Sequence, residues 1–264
     1  MMTNVISFPG LGGISFDINR VAFTIFGKEV YWYAIIILAG FLSGLAFAYN
    51  TCEKRGVKKE YVFDVAFWGL IIGIICARLY YVIFDGESIS GDFINIFRIW
   101  NGGLAIYGGI IGAVGTVIVY SKIHKLQMMK LFDVCTPGLI IGQIIGRWGN
   151  FVNAEVFGRE TNLPWRMSIN GGAGVHPMFL YESLWNFIGF LIILKFRDKK
   201  KADGQVFYFY IIWYGIGRFF LESMRQPQYI LWLIPDVLGI SQLVALIAVA
   251  VGMVAIVYNN KKGM

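Results

Sequence analysis

At 264 residues, 57% apolar and only 15% charged, the chain is too hydrophobic for a water-soluble domain, which is typically about one quarter charged. A mean hydropathy of +0.64 makes lipid the main solvent, and at about 20 residues per crossing the length allows about seven spans and no separate soluble domain. The net charge of +7 is accounted for by loop cations facing anionic lipid, so no nucleic-acid partner is expected.

In chain order, the first nineteen residues carry no Lys or Arg, and Pro9, Gly10, Gly12 and Gly13 interrupt them. They lack the charged and apolar regions of a cleaved signal peptide, so the spans themselves are expected to direct insertion. Apolar runs then predict membrane helices near 30–48, 62–84, 103–120, 131–150, 178–196, 205–223 and 237–258. Lys54, Arg55, Lys58 and Lys59 fill the first connection, Lys122, Lys125 and Lys130 the third, and Arg197, Lys199, Lys200 and Lys201 the fifth. Lys261 and Lys262 lie in the tail, whereas Asp85, Glu87 and Asp92 mark the second connection and Asp236 ends the sixth. Basic loops therefore alternate with acidic or mixed ones, which predicts an N-terminus outside and a C-terminus in the cytoplasm. The expected fold is an all-α polytopic membrane protein, a single domain over 1–264.

The connection 151–177 contains Asn162, Pro164 and the run Asn170-Gly171-Gly172, turn chemistry that predicts a hairpin-like loop forming a small extracytoplasmic cap. Glycines spaced four apart, Gly40 and Gly44, Gly69 and Gly73, Gly108 and Gly112, and Gly138, Gly142 and Gly146, predict close helix packing. Gly108 and Gly146 also sit beside polar residues. Cys52, Cys76 and Cys135 suggest neither a disulfide framework nor a metal site.

Arg78, Arg147 and Arg218 fall within or at the ends of apolar runs, where a charge costs about 2.5–3.5 kcal/mol or more at mid-membrane, so they are expected to line a polar cavity. Arg147 and Asn150 are three apart and share a helix face if the helix persists. Tyr214, Arg218 and Glu222 recur every fourth residue with Arg225 one turn beyond, and Glu222 can orient either arginine. Such a set is either a structural ion-pair network or an anion site, and guanidinium suits phosphate because its planar fork binds it bidentately. Tyr107, in the glycine-rich start of the third span with Gly108 and Gly109, and Tyr33 near the start of the first offer hydroxyls. His176 precedes Pro177, with Tyr181 and Glu182 one turn into the fifth helix as partners. The residues alone point to a site for the phosphate of a lipid headgroup. A transporter of anionic solutes or a noncatalytic lipid-binding subunit remain alternatives, although polar residues gather only at the outer ends and the odd span count argues against inverted repeats.

The run Gly146-Arg147-Trp148-Gly149-Asn150-Phe151-Val152-Asn153-Ala154-Glu155, continuing through Phe157-Gly158-Arg159, closely resembles the signature of the bacterial prolipoprotein diacylglyceryl transferases. The resemblance extends through Trp32-Tyr33, Ala77-Arg78-Leu79, the third span, His176-Pro177, Leu180-Tyr181-Glu182, Gly217-Arg218-Phe219, Glu222 and Arg225-Gln226-Pro227. It implies transfer of a diacylglyceryl group from phosphatidylglycerol to the lipobox cysteine of a prolipoprotein, with glycerol 1-phosphate released, in the bacterial cytoplasmic membrane and toward its outer leaflet. Its implied partners are phosphatidylglycerol, lipobox signal peptides and membrane lipids, with no cofactor and no metal. By the same resemblance Arg147 and Arg218 match the family's important arginines, while Tyr33, Asn150, Asn153, Glu155 and Gly158 shape the lipid pocket. The family often has histidine before the paired glycines of the third span, where this chain has Tyr107, so no general base is assigned.

Overall fold

The computed structural model describes residues 3–84 and 102–262; Asp85, Glu87, Asp92 and Asn101 lie outside them. Seven long helices follow an N-terminal β segment: α1 (Trp32–Thr51), α2 (Lys59–Phe84), α3 (Ile106–Ile123), α4 (Met128–Asn153), α5 (Met178–Phe196), α6 (Gln205–Ser223) and α7 (Ile240–Lys262). Six of them, all but α6, are long and apolar enough to cross a membrane. At 19 residues α6 has the length, but its tyrosines, Arg218 and Glu222 lower its apolarity. Of the seven expected spans, therefore, six stand on length and composition alone. Large aliphatic side chains such as Ile111, Val254 and Leu191 are exposed on these helices, as lipid-facing residues should be.

The chain divides into two compact units. Phe47–Cys135 is one, and Met1–Ala46 with Thr136–Met264 is the other. In the first, α2 and α3 meet through glycines. A Cβ on Gly112 would lie 2.9 Å from the Ile72 carbonyl oxygen and 2.9 Å from the Gly73 Cα, so the backbones approach as closely as only glycine permits. In the second, Gly44 and Gly138 do the same for α1 and α4, where a Cβ on Gly44 would come 2.2 Å from the Gly138 carbonyl oxygen.

The second unit also carries β structure that the hydropathy pattern did not announce. β1 (Thr3–Phe8) pairs antiparallel with β2 (Ile14–Asn19) and, on its other side, with β5 (Ser168–Ile169), the register setting Ile6 opposite Ile169. β3 (Val21–Ile25) and β4 (Lys28–Tyr31) form a hairpin leading directly into α1. The turn after β5 is the one expected: Asn170 and Gly171 both have positive φ, at 51° and 73°, and the Gly172 N–H donates to the Ile169 carbonyl at 2.9 Å. Fully buried Ile6 packs with Ala154, Met167, Val175 and Phe179, so the N-terminal strand and the 151–177 loop share one core over the ends of α4 and α5. A short hairpin, β6 (Trp232–Ile234) and β7 (Leu238–Gly239), joins α6 to α7.

Candidate functional site

In the unit containing α4 to α7, helix periodicity brings polar side chains to one place. On α4, Gln143, Arg147 and Asn150 follow one face; on α5, Glu182 and Asn186 are one turn apart; on α6, Tyr210, Tyr214, Arg218 and Glu222 recur every fourth residue. The relative placement of α5 and α6 is fixed by a reciprocal pair of indoles. The Trp185 Nε1–H donates to the Trp213 carbonyl at 3.0 Å, the Trp213 Nε1–H donates to the Trp185 carbonyl at 2.9 Å, and the rings stack 4.4 Å apart. Each ring lies on a glycine of the opposite helix, since a Cβ on Gly217 would be 2.2 Å from Trp185 Nε1 and one on Gly189 would be 2.4 Å from Trp213 Nε1.

That placement sets three arginines around two carboxylates. Arg147 Nη2 is 2.6 Å from Glu182 Oε2, and Arg225 Nη2 donates a hydrogen bond to Glu182 Oε1 at 2.8 Å. Glu222 Oε2 lies 2.8 Å from Arg218 Nη2 and 3.3 Å from Arg225 Nε, contacts that are ionic rather than aligned hydrogen bonds. Arg225 thus ties the two carboxylates together. Its side chain is 8% exposed and that of Glu222 1%, whereas Arg147 and Arg218 retain 22% and 17%, so these two present the reachable guanidiniums. Three cations against two anions leave the cluster one positive charge, which suits an anion and not a metal ion. Arg218 Nη2 also donates to Ser241 Oγ on α7 at 3.2 Å.

The loop after α4 braces this arrangement. Gly158 N–H donates to the His176 carbonyl at 2.9 Å, Arg159 N–H to the Met224 carbonyl at 2.7 Å, and Arg159 Nε to the Arg225 carbonyl at 3.2 Å. Gly158 has no room for a side chain there, because a Cβ would be 2.6 Å from His176 Cβ and 2.8 Å from the Met224 carbonyl oxygen. The His176 Nδ1 is 3.3 Å from the Tyr181 hydroxyl, which accepts from Trp165 Nε1 at 2.6 Å, and partial burial lowers the imidazole pKa from its ordinary value, favouring the neutral ring. Tyr181 thus partners His176, while Glu182 turns to the arginines. Asn150 Nδ2 donates to Glu155 Oε1 at 3.0 Å, and Tyr33 lays its ring on Gly149, where a Cβ would be 2.8 Å from Cδ2. The Asn153 Oδ1 is buried without a hydrogen-bond partner among the described residues.

Arg78, Tyr107, Gly108 and Gly109 belong to the other unit. There Arg78 Nη1 donates to the Gly102 and Gly103 carbonyls at 2.8 and 3.0 Å, and its guanidinium lies over the Tyr81 ring. Half-buried Tyr107 lies near Tyr80, 6.4 Å between ring centroids. Gly108 has a packing role: a Cβ would come 2.3 Å from the Cys76 carbonyl oxygen. Gly109 is less constrained, its nearest neighbour being Ala77 Cβ at 3.8 Å.

Several participants were not singled out in the sequence. Gln143 donates from Nε2 to the Tyr210 hydroxyl at 2.8 Å, and Trp185 and Asn186 border a small cavity with Glu182, Tyr214, Gly217, Arg218 and Leu221. The available signal was spacing, since Gln143 lies one turn before Arg147 and Asn186 one turn after Glu182.

The family model described as prolipoprotein diacylglyceryl transferase matches residues 20–258. A Clostridioides difficile (strain 630) phosphatidylglycerol–prolipoprotein diacylglyceryl transferase is 41% identical over 244 residues, covering 92% of this chain and 96% of its own. Proteins of the same name from Bacillus velezensis and Listeria innocua are each 40% identical over 257 residues, covering 93% of this chain and 94% and 91% of their own.

Proposed function

This chain belongs to the prolipoprotein diacylglyceryl transferase family, and we propose that its three-arginine, two-carboxylate cluster holds the phosphate of the donor lipid during transfer. The enzyme moves a diacylglyceryl group from phosphatidylglycerol to prolipoprotein, the first step of lipoprotein maturation. The acceptor is the lipobox cysteine thiol. Its sulfur attacks the glyceryl carbon bonded to the phosphate oxygen; a C–S bond forms, the C–O bond breaks, and its electron pair leaves with glycerol 1-phosphate. The thiol proton passes to solvent or to a base that the geometry does not single out.

The observation that carries this reading is the exposure gradient within the cluster. Arg147 and Arg218 are the accessible cations, and Glu182, Glu222 and Arg225 hold them in place from behind. Charge that develops on the leaving phosphate then meets preorganised donors, a contribution of about 10²–10³ in rate for each well-placed donor. A positive field also favours the thiolate over a thiol with a reference pKa of about 8.5. Tyr33, Asn150, Asn153, Glu155, Gly158, His176, Tyr181 and Tyr214 form the walls of this site. Arg78, Tyr107, Gly108 and Gly109 contribute to lipid binding from the α2–α3 pair.

The whole chain acts as one membrane domain, with α6 as the seventh span, the N-terminus outside and the C-terminus cytoplasmic. The alternation of basic connections with acidic or mixed ones supports that orientation, in which the cluster faces the outer leaflet. An apolar helix can carry Arg218 and Glu222 because they neutralise one another and face protein.

The test is a transfer assay with purified protein, phosphatidylglycerol micelles and a lipobox peptide, its Cys→Ser form serving as control. Diacylglyceryl-peptide and glycerol 1-phosphate should appear together, only with cysteine. Arg147→Ala and Arg218→Ala should each lower kcat about 10²–10³-fold with membrane insertion intact. Normal turnover by either folded variant would remove that arginine from the proposal.

A further inference from the structure

One turn below the ion cluster, the space between α5 and α6 holds a cavity of about 10 Å³, bordered by Glu182, Asn186, Tyr214, Arg218 and the apolar Trp185, Gly217 and Leu221. That is room for about one water-sized group. Asn186 is 4% exposed, and its side-chain amide forms no hydrogen bond with another described residue. A buried amide without a partner is unfavourable, and an apolar side chain of similar shape would remove that penalty. Of the charged groups here, Glu182 is committed to Arg147 and Arg225, and Arg218 to Glu222 and Ser241, while the Tyr214 ring also borders the cavity. On α4, Gln143 Oε1 is buried without a hydrogen-bond partner among the described residues, while its Nε2 donates to Tyr210. Polarity thus continues past the arginines into a layer that carries no charge.

We infer that Asn186 is a donor-lipid specificity residue, its amide seating a single uncharged hydroxyl of the phosphatidylglycerol headgroup in the cavity beside Arg218. The inference rests on the phosphate reading of the cluster. With phosphate at Arg147 and Arg218, the next headgroup oxygens, three and four bonds beyond the phosphate ester oxygen, are uncharged hydroxyls, each needing a donor and an acceptor. An amide supplies both from one side chain. Sites built to hydrogen-bond a hydroxyl discriminate strongly against ligands lacking it, because the site's own polar group is then left unpaired.

The experiment compares the wild type with Asn186→Leu, and with Asn186→Ala should the leucine variant fail to fold. It measures KM for phosphatidylglycerol, KM for the lipobox peptide, and the thermal shift given by phosphatidylglycerol and by phosphatidic acid, which lacks the headgroup glycerol. Wild-type turnover in the same assay tests the transferase reading separately, and the thermal shifts need no turnover. The expected result is about a tenfold rise in KM for phosphatidylglycerol, the worth of one lost hydrogen bond, with the peptide KM unchanged. The lipid-free leucine variant should melt higher than wild type, and the wild-type preference for phosphatidylglycerol over phosphatidic acid should narrow. A higher melting temperature with lipid discrimination intact would make Asn186 a water ligand only and overturn the inference. So would a rise confined to the peptide KM.

Discussion

The α2–α3 and α5–α6 pairs both use glycine to bring helices together, with opposite results. In α2–α3 a glycine faces backbone: Gly108 meets the Cys76 carbonyl, Gly112 meets Ile72 and Gly73, and Arg78 is held by the carbonyls of Gly102 and Gly103. In α5–α6 a glycine faces an indole: Gly189 accommodates Trp213 and Gly217 accommodates Trp185. Backbone-to-backbone contact leaves no space between helices, and the arginine there is satisfied by main chain. A ring between the helices holds them apart, and the gap fills with charged side chains and a cavity. Small residues in membrane helices therefore do not by themselves announce a tight seam; what they face decides.

The largest effect should come from removing the counter-charge that the wider gap requires. Glu222→Ala leaves Arg218 and Arg225 facing each other across a position that is 1% exposed. Removing one partner of a buried ion network costs about 3–5 kcal/mol, so the variant should show that loss in a detergent unfolding titration and be inactive. Retained stability would mean that water already screens the cluster. A smaller effect is expected in the other pair, where Gly108→Ala puts a methyl 2.3 Å from a carbonyl oxygen and 2.8 Å from the Ala77 Cα. Overpacking of that kind costs about 1–3 kcal/mol. Stability should fall by this amount; a KM for phosphatidylglycerol unchanged in the folded variant would make Gly108 a packing residue alone, whereas a raised one would keep it in lipid binding.

These two outcomes also mark what the sequence could and could not reveal. Helix ends of α5 and α6 fall at 178–196 and 205–223, as apolar length alone predicted, and the Asn170-Gly171 turn was legible because it needs two residues at positive φ. The N-terminal strands were not. β1 gains its second partner from Ser168 and Ile169, about 160 positions away, and no local pattern encodes such a pairing. In the site, four-residue spacing gave Arg218 with Glu222, because one helix dictates it. The meeting of Glu182 with Arg147 from α4 and with Arg225 beyond α6 depends on how three helices pack, of which the Trp185–Trp213 pair joins only α5 and α6. Spacing could bring Asn186 into view but could not say that it faces a cavity.

The finest test of the contrast is therefore Trp185→Phe. A smaller ring remains over Gly217, so the Nε1–H donated to the Trp213 carbonyl is lost together with part of the indole's packing. That bond should be worth about 0.5–1.5 kcal/mol, toward the low end because helix-to-helix hydrogen bonds in membranes average less. Trp213→Phe removes the reciprocal bond to the Trp185 carbonyl and should cost a similar amount. Both bonds act on one quantity, the spacing of α5 from α6, so the double variant should depart from additivity in a double-mutant cycle. If that spacing places Glu182 against Arg147 and Arg225, kcat should fall in the double variant more than in either single one. Additive stability losses with kcat unchanged would show instead that the ion cluster holds its own geometry and that the indoles contribute packing alone.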